Sequence, residues 1–234
     1  MDAVTLARVD AHGKSTRDVN EELRALIAGG QREIEVLHPG SRHNLAVGIL
    51  EPARIVFRGD VGYFCGGLSD GLELEIMGEA GWSLGADMMS GRIVVHGNSG
   101  SSTAPSIRGG LVVVLGDAGA RTGIALKGGT IVISGSTGYM TGFMAQKGTI
   151  VILGDAGEAL ADSMYDAQVY VAGRVAEFGN DAVADEATSA ELAALRETLA
   201  GFGLPEPGRL KKVVAGRKLW NFDKRDFEVW KEAL

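Results

Sequence analysis

Along the chain, a short apolar triplet followed one residue later by glycine returns at an unvarying interval. The triplets begin at Ile55, Leu74, Ile93, Val112, Ile131, Ile150 and Val169. The glycines that close them, Gly59, Gly78, Gly97, Gly116, Gly135, Gly154 and Gly173, lie 19 residues apart each time. A second glycine follows three positions on, at Gly62, Gly81, Gly100, Gly119, Gly138 and Gly157. A third stands at Gly66, Gly85, Gly123 and Gly142, with alanine in its place at Ala104 and Ala161. A unit with one strand and several glycine corners is too short for a propeller blade and shows no helical period. The pattern therefore predicts an all-β fold, a right-handed parallel β-helix of about seven 19-residue coils with short flanking helices. Coils stacked ~4.8 Å apart make a column roughly 30 Å tall. Glycine is expected at the corners because they require positive φ or close backbone approach.

The period-2 alternation assigns the two faces of the strands. Positions four and two before each leading glycine, from Ile55/Phe57 to Val169/Val171, are apolar in all seven coils and form the predicted core. The intervening position reads Val56, Glu75, Val94, Val113, Val132, Val151 and Tyr170. Polar residues are expected where such a face meets water, so the run Val94, Val113, Val132 and Val151, flanked by Leu115 and Leu153, predicts an apolar strip that something covers. One candidate is a helix over 189–202, begun by Ser189 and placing Leu192, Leu195, Leu199 and Phe202 on one face. The other, favoured because one short helix covers only part of the strip, is a partner subunit.

The flanks divide the chain into 1–33, a lead-in with a short helix over 21–28 ended by Gly29-Gly30; 34–183, the solenoid; and 184–234, a helix and an aromatic docking tail. Residues 34–52 read as a degenerate extra coil, with Gly40 falling 19 before Gly59. Lys211 to Leu219 reads as a strand, and Trp220, Phe222, Phe227 and Trp230 crowd the terminus that follows.

Composition narrows the function classes. The 35 glycines carry no three-residue period, and the high Val, Ile and Leu content excludes both collagen and disorder. A net charge of −7 argues against nucleic acid and anionic membrane as partners. The longest unbroken apolar run, Leu111 to Leu115, is too short to span a bilayer, and Met1-Asp2-Ala3-Val4-Thr5 lacks the start of a secretory signal, so the cytoplasm is expected. The single cysteine, Cys65, cannot hold an iron–sulfur cluster or a multi-cysteine zinc site.

Candidate chemistry dissolves into the repeat. Gly81-Trp82-Ser83-Leu84-Gly85 matches the G-x-S-x-G pattern of a hydrolase nucleophile elbow, but Phe64, Arg121 and Met140 take the serine place in other coils, and no βα unit follows. His12, His38, His43 and His96 share no metal-ligand spacing. The column Asp60, Glu79, Asn98, Asp117, Ser136, Asp155 and Arg174 invites calcium, yet Asp, Asn and Ser at corners are explained by bonding to backbone. No phosphate-binding G-x-x-x-x-G-K-[ST] occurs. No catalytic, cofactor or metal residue is expected within the chain. A carbohydrate-cleaving solenoid would need laddered carboxylates and basic residues on an exposed sheet, where this sequence has valines.

Segments such as Gly78-Glu79-Ala80-Gly81-Trp82-Ser83-Leu84-Gly85, Lys127-Gly128-Gly129-Thr130-Ile131-Val132-Ile133 and Gly154-Asp155-Ala156-Gly157 resemble the GXGXG β-helix of the glutamate synthase large subunit. In that family the β-helix carries no catalytic residue and holds amidotransferase and FMN-containing domains in place. The tail Arg217-Lys218-Leu219-Trp220-Asn221-Phe222, with Met144 to Gly148 and Gly157 to Tyr165, is similar to the stand-alone glutamate-synthase-like β subunits of N-methylglutamate synthases. The resemblance implies a non-catalytic subunit of a hetero-oligomer making N-methylglutamate and ammonia from methylamine and glutamate. Its partners would be an amidotransferase-like subunit and a glutamate-synthase-like subunit carrying FMN and an iron–sulfur cluster. A similar β-helix occurs in the C subunit of formylmethanofuran dehydrogenases, and a self-contained structural or binding solenoid is the remaining alternative. Val94, Val113, Val132, Val151, Leu115, Leu153, Trp220 and Phe222 are the candidate partner interface.

Overall fold

The computed structural model describes residues 6–218. Seven parallel strands stack in sequence order: β3 (Ala53–Arg58), β4 (Leu72–Ile76), β5 (Gly91–Val95), β6 (Leu111–Val114), β7 (Thr130–Ile133), β8 (Thr149–Ile152) and β9 (Gln168–Val171). Each pairs with the next at an offset of 19 residues, so Ile55, Leu74, Ile93 and Val112 stand above one another, as do Ile131, Ile150 and Val169. A second, thinner line of parallel bridges joins Val61, Ala80, Ser99, Ala118, Thr137, Ala156 and Val175 after the corner. The fold is the expected parallel β-solenoid. Every residue of the Ile55/Phe57 to Val169/Val171 set is 2% exposed or less, so the alternation rule located the core.

Two constraints act on the glycines, close approach between coils and positive φ, and positions such as Gly91 and Gly110 carry both. Leading and second glycines after the first coil have ordinary φ, but a Cβ there would collide with the coil below. At Gly135 it would lie 2.9 Å from both the carbonyl carbon and the oxygen of Gly116. The third glycines have the left-handed φ, between +65° and +74°, and at Gly66, Gly85 and Gly123 a Cβ would also meet the end of a core side chain, whereas Gly142 has room. Ala104 and Ala161 adopt the same conformation at φ 54° and 60°.

Both ends of the column differ from expectation. Strand β1 (Ala7–Asp10) pairs in parallel with β2 (Glu33–Leu37), and α1 (Thr16–Ala28) crosses between them. The helix is longer than its apolar spacing suggested because Ser15 caps it, in a capping box with Asp18. Its Val19, Leu23 and Ile27 face joins the solenoid core. Strand β2 pairs with β3 with Ile34 opposite Ile55, a separation of 21 residues. The correspondence of Gly40 with Gly59 is thereby corrected by two residues: His38, at φ 53°, occupies the leading-glycine place. At the far end, β11 (Lys211–Ala215) runs antiparallel on β9, and β10 (Ala182–Asp185) runs antiparallel on β11. The strand expected to reach Leu219 therefore ends at Ala215, and it covers an edge that would otherwise present unpaired backbone groups.

Candidate interaction surfaces

The apolar strip is covered from within the chain. Helix α2 (Ser189–Ala200) and the segment after it lay Leu195, Leu199, Phe202, Leu204 and Leu210 on Val113, Val132, Val151 and Tyr170. The three valines are 0% exposed, and Leu115 and Leu153 pack against the same cluster. The expected partner interface at Val113, Val132, Val151, Leu115 and Leu153 is corrected accordingly. The helix alone is short, as argued, but the segment that follows it adds Phe202, Leu204 and Leu210 to the cover. Val94, at the margin, is half-buried in a cleft of about 240 Å³ that also holds Arg54, Glu75, Arg92, His96, Leu115 and Phe202. Trp220 and Phe222 lie outside the described residues.

Thr188, not Ser189, caps α2: its hydroxyl accepts from the Glu191 N–H, while the Glu191 carboxylate accepts from the Thr188 N–H at 2.7 Å. Glu191 also accepts from the Lys212 ammonium at 2.8 Å, which ties the helix to β11. The Lys212 bond, with the Thr188 N–H behind it, lowers the Glu191 carboxyl from its ordinary 4.5 to about 2. A carboxylate depressed by folding contributes stability fully above its unfolded value and loses it as pH falls through the folded one. The α2 attachment is therefore expected to weaken between pH 4.5 and about 2. Melting temperature measured against pH checks this: Glu191→Gln should melt lower at pH 7 and lose less on acidification than the parent.

The N-terminal half of the same sheet face is charged rather than covered. Glu35, itself buried, accepts from Arg58 at 2.6 Å and Arg8 at 2.8 Å. The Arg58 bond holds its carboxyl below the usual range against the opposing desolvation, and Arg8 adds to the effect. Arg54 bridges Glu33 and Glu75, His96 reaches Glu75 at 3.1 Å, and Arg92 pairs with Glu73 at 2.6 Å.

The acidic column is a ladder of backbone caps. Asp60 accepts from the Glu79 N–H at 2.8 Å, Asn98 from Asp117, Asp117 from Ser136, Ser136 from Asp155, and Asp155 from Arg174, all between 2.7 and 3.0 Å. Each of these side chains thus fixes the corner of the next coil, 19 residues on, rather than bonding the backbone of its own turn. Among the described residues no group of three or more His, Cys, Asp or Glu side chains is arranged to hold a metal ion.

Of the other singled-out residues, His12 and His38 meet edge to face with ring centroids 6.2 Å apart. Ser83 sits at φ 58° in the repeated left-handed corner, in the place that Phe64, Arg121 and Met140 take in theirs. Burial pushes the Cys65 thiol upward, away from thiolate chemistry. His38 bonds Asp10 at 2.8 Å, His96 bonds Glu75, and His43 stacks on Tyr63.

Sequence reasoning missed one surface. The His43 stack continues from Tyr63 to Trp82, whose rings are 5.4 Å apart at 16°, and it stands in solvent. Phe64 beside it is 48% exposed and Trp82 is 56% exposed. The signal was in the sequence: the same places in later coils hold Ser101, Ser102 and Ala120, so the solenoid does not require aromatics there.

Taken together, these features define a parallel β-solenoid whose corner side chains cap the backbone of its own layers. The chain belongs to the GXGXG motif family, which matches it over residues 41–199, through the coils and into α2. This is the family of the glutamate synthase β-helix that the repeat resembles, so the chain is glutamate-synthase-like. No curated protein matches the sequence. Among the described residues no helix is long and apolar enough to cross a membrane.

Proposed function

We propose that the chain is a non-catalytic subunit of an N-methylglutamate synthase, holding an amidotransferase-like subunit and an FMN and iron–sulfur synthase-like subunit together. The observation that supports this reading furthest is the match to the GXGXG motif family over residues 41–199. The similarity of the 217–222 tail to stand-alone β subunits narrows the family to this complex. In this role the chain supplies rigidity. A column bonded layer to layer transmits little deformation, and partner sites attached to it keep fixed separations. The flavin, the cluster and the ammonia-handling chemistry reside on the companion subunits.

The test is purification of the tagged chain from its own cells at low salt, with identification of co-purifying chains and an absorbance spectrum. Expected are an amidotransferase-like chain, a flavin and iron–sulfur spectrum, and methylamine-dependent formation of N-methylglutamate by the eluate. A colourless eluate holding this chain alone, or one with molybdopterin-type subunits, overturns the proposal.

A further inference from the structure

One side of the solenoid, between the second glycine of each coil and the next strand, is covered by nothing in the described chain. Its outward places in the first two full coils hold Tyr63, Phe64, Leu68 and Trp82, all exposed. Two coils beyond the middle they hold Tyr139 and Met144, also exposed, with Met140 and Phe143 half-buried. Between these apolar ends the coil of Ser101, Ser102 and Ser106 carries small side chains at the same places, with Pro105 where Phe143 stands two coils on. Charge is unevenly spread as well. Asp87 lies on the N-terminal side of that serine coil, and Arg121 and Lys127 lie on its C-terminal side. None of the three makes an ion pair among the described residues, unlike the fully paired arginines of the β2–β5 face.

We propose that this side is the contact surface of a homodimer, two copies meeting with antiparallel coil axes about a two-fold axis level with Ser101, Ser102 and Ser106. An isologous two-fold contact requires a surface complementary to its own reflection through the axis. The 19-residue register states what would meet what. Trp82 falls opposite Ala120 of the second copy, large against small, and Ala86 falls opposite its Ile124. Tyr63 and Phe64 meet Tyr139 and Met140, and Leu68 meets Met144, apolar against apolar. Asp87 falls opposite Ala125, between the Arg121 and Lys127 of the other copy, and the symmetry makes that ion pairing twice. Small side chains at the axis let the two backbones approach. The single like-charge apposition, Arg108 with its own copy, lies on the axis at the margin of this side next to β6, at an exposed position. The contact spans five coils, a length of roughly 20 Å at ~4.8 Å per layer. A parallel pairing would set Asp87 level with Asp87 and Arg121 level with Arg121, so charge selects the antiparallel one.

The experiment is sedimentation of the purified full-length chain across the micromolar range, with three variants. The parent should sediment as a dimer. Asp87→Arg should weaken dimerisation by about tenfold or more, as expected for reversing a desolvated charge pair. Adding Arg121→Asp and Lys127→Asp to Asp87→Arg should restore the dimer, which a merely misfolded variant would not do. Ser102→Cys, at the axis, should form an interchain disulfide on mild oxidation, and buried Cys65 does not compete. A parent that stays monomeric throughout overturns the proposal and leaves this side to a different chain. A dimer indifferent to Asp87→Arg, or a Ser102→Cys chain that stays uncrosslinked, overturns it too. The outcome is independent of whether amidotransferase-like or flavin-bearing chains also bind.

Discussion

Gly135→Ala is expected to cost about 3 kcal/mol or more, at the upper end of overpacking penalties, and to lower Tm by about 6–12 °C for a chain of this size. The added Cβ would strike the Gly116 carbonyl 2.9 Å away and the Asp117 carboxylate as well. Asp117 cannot withdraw without releasing the Ser136 N–H it caps at 2.7 Å. Gly142→Ala is the contrasting case. Its φ is +74°, but the nearest atoms to a new Cβ are 3.5 Å away. The left-handed backbone costs an L-residue ~1–2 kcal/mol, and the lower entropy of the unfolded chain returns part of it, leaving about 1 kcal/mol or less. Ala104 and Ala161 already hold that conformation in neighbouring coils. Thermal melts of the two variants decide the matter. Equal losses would mean that the close backbone approach at Gly135 costs no more than the left-handed φ of Gly142.

Val132→Glu is expected to detach the cover rather than a partner. The side chain is 0% exposed beneath α2, and a carboxylate left uncompensated there costs about 3–5 kcal/mol, a large share of the 5–15 kcal/mol that typical domains possess. The solenoid core lies on the other side of the strand and does not touch this position. The variant should therefore keep its β-sheet circular dichroism, lose the α2 contribution, bind a hydrophobic dye and become protease-sensitive between β10 and β11. Val94→Glu, at the half-buried margin, should show little of this. If Val132→Glu leaves α2 protected from protease, the cover does not rest on the valine strip.

The repeat made the central fold legible because one physical requirement, a core pair of apolar side chains per layer, recurs seven times without slippage. The valine strip was equally legible, since outward valines contradict solvent exposure. The helix that covers it was legible as one of two candidates, with Leu195, Leu199 and Phe202 on one face, but the whole cover was not. Its cover is discontinuous in sequence, a helix plus a Pro-containing segment whose Leu204 and Leu210 show no period. The ends were obscure for a related reason. The excess of two residues between β2 and β3 and the reversal of β11 each occur once, so no repetition exposes them. The aromatic side shows no sustained column, since the place of Tyr63 and Trp82 passes to Ser101 and Ala120 in the next coils, so no repetition exposes it.

The interlayer ladder has a consequence for how such a chain can change length. Because every layer from β3 to β9 meets its neighbour through the same 19-residue offset, removing or duplicating one whole unit leaves all remaining junctions chemically equivalent. A single-residue insertion shifts the strand pleat, the glycine contacts and the side-chain caps together. The height of the column is thus quantised, in steps of ~4.8 Å, and the molecule can act as a ruler whose graduations are set by inheritance of complete coils. The strap formed by α2 does not scale in this way. Any lengthened descendant would expose fresh valine unless the strap grew with it, so the ruler and its sheath must be altered as a pair.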